Sequence, residues 1–144
     1  MRMTCLGVAL LALAGCGSST DVSAWVGSWT AAVTEVETCP SGTTTTPLAG
    51  VVAIVSNASD TITTEPVNNC DLNWTVSGNG ATLQSGQSCS VPGGSGGTWH
   101  PTFTNGGLTL SGSTIVVGDN GTAVFTLNDV SENCTFTQAG NFTR

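Results

Sequence analysis

From Trp25 onward the hydrophobic and polar residues alternate with a period of two. Threonine, valine and aromatic residues supply the repeating positions, side chains that suit a pleated, half-buried surface, and Gly/Asn clusters interrupt them at short intervals. The pattern predicts an all-β domain of about eight or nine strands. They lie over 27–37, 49–56, 60–65, 70–77, 81–89, 97–104, 108–112, 113–117, 122–128 and 133–143, two of these being continuous with each other. Gly78-Asn79-Gly80, Asn105-Gly106-Gly107 and Asp119-Asn120-Gly121 read as tight hairpin turns, because Gly and Asn accept the positive φ such turns require. The stretches 92–97 and 40–47 are Gly/Pro- and Thr-rich, and they read as longer, mobile loops.

The first hairpin can be registered residue by residue. With Gly78-Asn79 as a two-residue turn, Val76 faces Ala81, Trp74 faces Leu83 and Leu72 faces Ser85, so the apolar residues of both strands share one face. Cys70 and Cys89 then fall on that face near the open end of the hairpin. Pairing the first strand antiparallel to the last, with Cys39 beside Cys134, aligns Trp29, Ala31 and Val33 with Phe136, Gly140 and Phe142. First and last strands then meet, which closes a barrel or completes an equivalent sandwich edge.

Four cysteines lie beyond residue 16, and they allow three connectivities. The two registers favour Cys39 with Cys134 and Cys70 with Cys89. Metal thiolates or a redox pair are the alternatives, but the chain has no C-x-x-C spacing and a single histidine.

The amino-terminal segment breaks the alternation. Arg2 precedes an apolar run from Cys5 to Ala14, too short for the roughly 20 residues of a membrane-spanning helix and ending at Gly17-Ser18-Ser19-Thr20-Asp21. Leu13-Ala14-Gly15-Cys16 at the end of that run resembles a bacterial lipobox. The resemblance implies a signal peptide over 1–15, cleavage after Gly15, and diacylglyceryl and acyl chains on Cys16. Such a lipid holds a protein to a membrane without further contact. Gly17 in place of aspartate after the lipidated cysteine resembles an outer-membrane sorting signal. Residues 16–24 then form a tether between lipid and fold, and 25–144 a single domain.

Charge narrows the partners. The chain has no lysine, and once the signal is removed Arg144 is the single cationic side chain against nine acidic residues. A surface of that kind repels nucleic-acid phosphates and anionic headgroups, so nucleic acid is not expected as a partner and the membrane is reached through Cys16 alone.

Gly27-Ser28-Trp29 resembles the G-x-W that opens the first strand of lipocalins. With the wider Trp25-x-Gly27-x-Trp29 start, the four cysteines and the terminal Phe142-Thr143-Arg144, the domain is similar to small bacterial lipoproteins of lipocalin-like type. The resemblance implies a single antiparallel up-and-down β-barrel of about eight strands, with a β-sandwich as the alternative. It also implies that Arg144 packs across Trp29 and that the barrel mouth accepts a small apolar molecule.

Little else carries chemistry. His100 stands alone between Trp99 and Pro101, with no nucleophile or carboxylate assigned to it. Glu35 and Glu37 share the face of Trp29 by strict counting, and a bulge at Val36 or a place at the solvated rim is the expected resolution. Asp119-Asn120-Gly121 lacks the further acidic ligands of a calcium loop and reads as a turn. No cofactor, metal or catalytic constellation is expected. The reading is therefore a non-enzymatic, lipid-anchored envelope module that meets a protein partner, and the alternative is a lipocalin-like carrier or sensor of a small hydrophobic ligand. Interior volume separates them. Trp29, Trp74, Trp99, Phe103, Phe125 and Phe136 all pointing inward would fill a small barrel, whereas Ala31, Ala81, Ala123 and Gly140 among them would leave a cavity.

Overall fold

A computed structural model describes residues 21–66, 70–93 and 96–144. The lipobox, Cys16 and most of the tether lie outside the described residues. Ten strands follow one another: β1 Gly27–Cys39, β2 Gly42–Ala58, β3 Thr61–Pro66, β4 Leu72–Ser77, β5 Gly80–Leu83, β6 Gln87–Ser88, β7 Val91–Pro92, β8 Thr98–Ser111, β9 Thr114–Leu127 and β10 Val130–Thr143. There is no helix among the described residues, and the fold is all-β and antiparallel throughout.

Eight of the strands close a ring. Neighbours run β5-β4-β3-β2-β1-β10-β9-β8, and β8 returns to β5 through Gly80↔Thr109, Ala81↔Leu108 and Thr82↔Gly107. The ring is barrel-like but not evenly disposed about an axis. Its unevenness follows from strand length, since β1, β2, β8, β9 and β10 have 13 to 17 residues while β3, β4 and β5 have 4 to 6. Pairing of β2 with β3 starts only at Val52↔Pro66, so 42–51 of β2 pairs with β1 alone. One half of the ring is thus a complete circuit of strands, and the other is a trough open on one side.

First and last strands meet in the expected frame. Ala31↔Phe142 and Val33↔Gly140 pair, and the ladder ends at Thr38↔Thr135, beside the Cys39–Cys134 disulfide. The second disulfide joins Cys70 and Cys89. The Gly78-Asn79 hairpin carries Val76↔Ala81 and Trp74↔Leu83, but Leu72 has no partner at Ser85. The ladder instead ends where Gln84 N–H donates to the Asn73 carbonyl. Beyond it the chain leaves β4, and β6 pairs with β8.

Two of the three expected turns are not turns. Asn105-Gly106-Gly107 lies inside β8 and Asp119-Asn120-Gly121 inside β9, and the two triplets lie alongside each other through Asn105↔Asn120 and Gly106↔Asp119, with Gly107 opposite Gly118 and Gly121 opposite Phe103. A bulge between Phe103 and Asn105 shifts the phase of β8, so that Trp99 and Phe103 before it and Leu108 and Leu110 after it are all buried. The hairpins that connect these strands are Gly112-Ser113, with Gly112 at φ 59, and Asn128-Asp129, both at positive φ as a type I′ turn requires. The expected loop over 40–47 is also mostly strand, because β1 and β2 turn at Pro40-Ser41 and pair from Cys39↔Gly42 onward.

The end where β1 starts is sealed by packing. Trp25 and Trp29 are each 1 % exposed, and the Trp29 indole N–H donates to the Trp25 carbonyl at 2.8 Å. The Arg144 guanidinium sits 4.2 Å over the Trp29 ring, the packing that the G-x-W resemblance implies, and it also donates to the carbonyls of Ala24 and Val26. Gly27 explains itself here. Its φ is +139, and a Cβ at this point would come within 3.3 Å of Arg144 Nη1.

Candidate functional site

The opposite end of the ring holds a cavity of about 950 Å³. Trp74, Trp99, Phe103 and Phe125 give it aromatic walls, and Ala31, Val33 and Phe142 line it more deeply. The aromatic wall is ordered by close contacts. Phe136 meets Phe103 edge to face at 5.1 Å and Trp99 at 6.2 Å. Gly121 lies beneath Phe136, where a Cβ would come within 2.9 Å of the ring. Small and large residues therefore both point inward, and the volume left over belongs to the half of the ring that β3, β4 and β5 are too short to fill.

A polar band crosses this cavity at one level. In register, Glu35 of β1 pairs with Gln138 of β10, Gln138 with Asp119 of β9, and Asp119 with Gly106 of β8, while Thr46 of β2 stands on the other side of Glu35. All but the glycine line the cavity. Val36 is exposed and the β1–β10 register is unbroken, so no bulge turns Glu35 and Glu37 outward. Both are half-buried and line the cavity, with Glu37 toward the mouth near Glu132.

The acids of this band differ in how they are served. Gln138 Nε2 donates to Glu35 at 2.7 Å, and Ser41 donates its hydroxyl at 2.8 Å and its N–H at 3.3 Å to Glu132. Asp119 is 6 % exposed and its Oδ1 has no hydrogen-bond donor. Burial, and then the Glu35 carboxylate nearby, push its pKa up to about 7. The Glu37 carboxyl is also held above its ordinary value, by burial first and then by Glu35 and Glu132. An unserved buried carboxyl costs about 1 to 3 kcal/mol in an ordinary core. No Lys, Arg or His lines the cavity, among the described residues, to offset it.

Sequence reasoning missed Asp119, taking it for a turn residue. The signal was present, since Ile115, Val117, Asp119, Gly121 and Ala123 keep one parity with no break. The remaining candidates stay apart. His100 is exposed on the outer face of β8, opposite Val124, in a shallow groove with Thr38, Thr102, Thr122 and Asn133 and no carboxylate. Glu37 approaches the sulfurs of Cys39 and Cys134, but a disulfide has no thiolate to offer a metal. No protein-family model, curated protein or solved structure matches the chain.

Proposed function

We propose that this chain is a lipid-anchored, non-enzymatic envelope protein that carries or senses a small amphipathic molecule in its half-open barrel. The observation that carries the reading is the cavity. About 950 Å³ is in the range of small-molecule sites, and the lining is mainly apolar with a few converging polar groups. This favours the carrier over the pure interaction module. The Arg144–Trp29 seal and the eight-stranded ring with next-neighbour connections support a lipocalin-like architecture. The lipobox supports attachment through Cys16 to a bacterial membrane, the outer one on the evidence of Gly17, with no nucleic-acid partner.

Two measurements test it. Native mass spectrometry of the chain extracted from bacterial membranes should find an adduct of a few hundred daltons that is lost on denaturation. A bare mass from every preparation counts against the carrier. Labelled palmitate should enter the chain and disappear in Cys16→Ala, and label that persists in the variant refutes the anchor.

A further inference from the structure

The carrier reading leaves open what the cavity recognises, and the polar band narrows it. Among the described residues, every ionisable side chain that lines the cavity is an acid: Glu35, Glu37, Asp119 and Glu132. A fatty acid or other anion would meet four carboxyl groups and no cation, so it is excluded on charge. Acidic side chains at a rim are common and decide nothing alone. Asp119 is different, because it is nine-tenths buried, lines the cavity, and keeps Oδ1 without a donor although Gln138 lies beside it in register. The amide of Gln138 goes to Glu35 instead.

Aromatic side chains line the same cavity as Asp119: Trp74, Trp99, Phe103 and Phe125. Gly106 lies opposite Asp119, and a Cβ there would come within 2.9 Å of Asp119 Cβ and 3.2 Å of the Trp74 ring. Glycine at 106 lets β8 pass close to the stem of Asp119 and the edge of the Trp74 ring. Carboxyl groups and aromatic rings lining one cavity suit an organic ammonium group, which is paired by the first and attracted by the faces of the second.

We propose that the cavity binds an organic cation, an ammonium group on an apolar body, with Asp119 and Glu35 as its counter-charges and Trp74 beside it. The inference rests on the carrier reading. It favours an organic ion over a bare metal ion because much of the remaining lining is apolar, Ala31, Val33, Trp99, Phe103 and Phe142 among it, a surface that a hydrated metal ion does not use. Binding is coupled to protons. The groups that face Asp119 are Glu35 and Gln138 across β1 and β10, Glu37 and Glu132 toward the mouth, and uncharged residues on β4, β5 and β8. None supplies a positive charge. A cation favours ionised Asp119, so affinity should climb as pH rises through its titration.

The test uses the full lipidated chain in zwitterionic lipid nanodiscs, with empty discs as the blank, and three probes that differ only in headgroup: phenylbutylammonium, phenylbutanol and phenylbutanoate. Calorimetry should find the ammonium tighter than the alcohol by about tenfold or more, and no binding of the carboxylate. Asp119→Asn should cut that preference several-fold, Glu35 remaining, while phenylbutanol affinity stays as in the wild type, and Glu65→Gln, an equal charge change on an exposed strand position, should leave all three unchanged. The ammonium affinity should rise about tenfold between roughly pH 6 and pH 8 in the wild type and stay flat in Asp119→Asn. Equal binding of alcohol and ammonium, or calcium bound more tightly than the ammonium, overturns the cation inference and leaves the carrier standing. If none of the three probes binds, the carrier reading itself fails.

Discussion

Where β1 begins, Trp25 and Trp29 are packed to exclusion, and the indole and guanidinium groups that seal that end find carbonyl partners. Where β1 finishes, the same strands enclose a cavity whose most buried carboxyl has an oxygen without a donor. One ladder runs through both. The difference arises in the partners across the ring, because β3, β4 and β5 are short and β3 pairs with β2 only from Val52 on. The second end is stapled instead, with Cys39–Cys134 across β1 and β10 and Cys70–Cys89 on the other flank. Packing holds one end, and covalent links tie the strands at the other.

The disulfides give the largest way to break that contrast. The Cys39–Cys134 bridge closes 95 residues and the Cys70–Cys89 bridge 19, worth about 4 to 5 and about 3 kcal/mol in the chain-entropy model. Replacing Cys39 and Cys134 together by serine should therefore cost more in a urea melt than replacing the other pair. Hydrogen exchange should quicken at 34–38 while 27–31 stays protected. A melt within a degree or two of wild type would refute the role of the bridge in closure.

Trp29→Ala attacks the other end. A tryptophan 1 % exposed that also positions Arg144 should cost about 3 to 5 kcal/mol on truncation. The expected loss is global, with exchange quickened at both ends, because removing the plug opens the end on which the ladder depends. A loss confined to 27–31 would mean that the two ends fold independently.

Asp119→Asn should stabilise the chain, in contrast to both. Its carboxyl titrates at about 7 against an ordinary 3.8, so the fold is most stable while the group is protonated. That contribution is complete below the ordinary value and is lost as pH rises through about 7. The span sets a ceiling of roughly 4 kcal/mol. Asn should match wild type near pH 4 and exceed it by about 2 to 3 kcal/mol near pH 8. Equal pH profiles in urea would show that Asp119 is hydrated in the folded chain, and the contrast between served and unserved polar groups would go with it.

These residues also show how far the chain can be read from its sequence. Setting Cys39 beside Cys134 was enough to place Ala31 and Val33 against Phe142 and Gly140, whereas Phe136, expected in the same set, falls opposite Glu37. Alternation fails where the backbone leaves its period. At Phe103 to Leu108 the change of parity beside two glycines looks like a turn, and a bulge produces the same signature without reversing the chain. At Asp119-Asn120-Gly121 a turn-like triplet hid an unbroken parity. Its glycine is needed for another reason, the close approach of Phe136 and of the Thr102 carbonyl. The cavity was not legible because it depends on strands too short to cover it, and the extent of β3 to β5 is set by pairing across the ring.

Arg144 is the smallest and finest probe of the closed end. Its guanidinium does two things at once, covering the Trp29 ring and donating to two carbonyls two residues apart, Ala24 and Val26. Lysine keeps the charge and its attraction to the ring, but its compact ammonium does not reproduce the planar fork that serves both carbonyls. Arg144→Met keeps the aliphatic cover and loses both. Methionine should thus cost about 1 to 2 kcal/mol and lysine roughly half as much, with exchange at Val26 and Gly27 faster in that order. Should both variants melt with the wild type, the burial of Trp25 and Trp29 alone seals this end, and its polar contacts are incidental to the difference between the two.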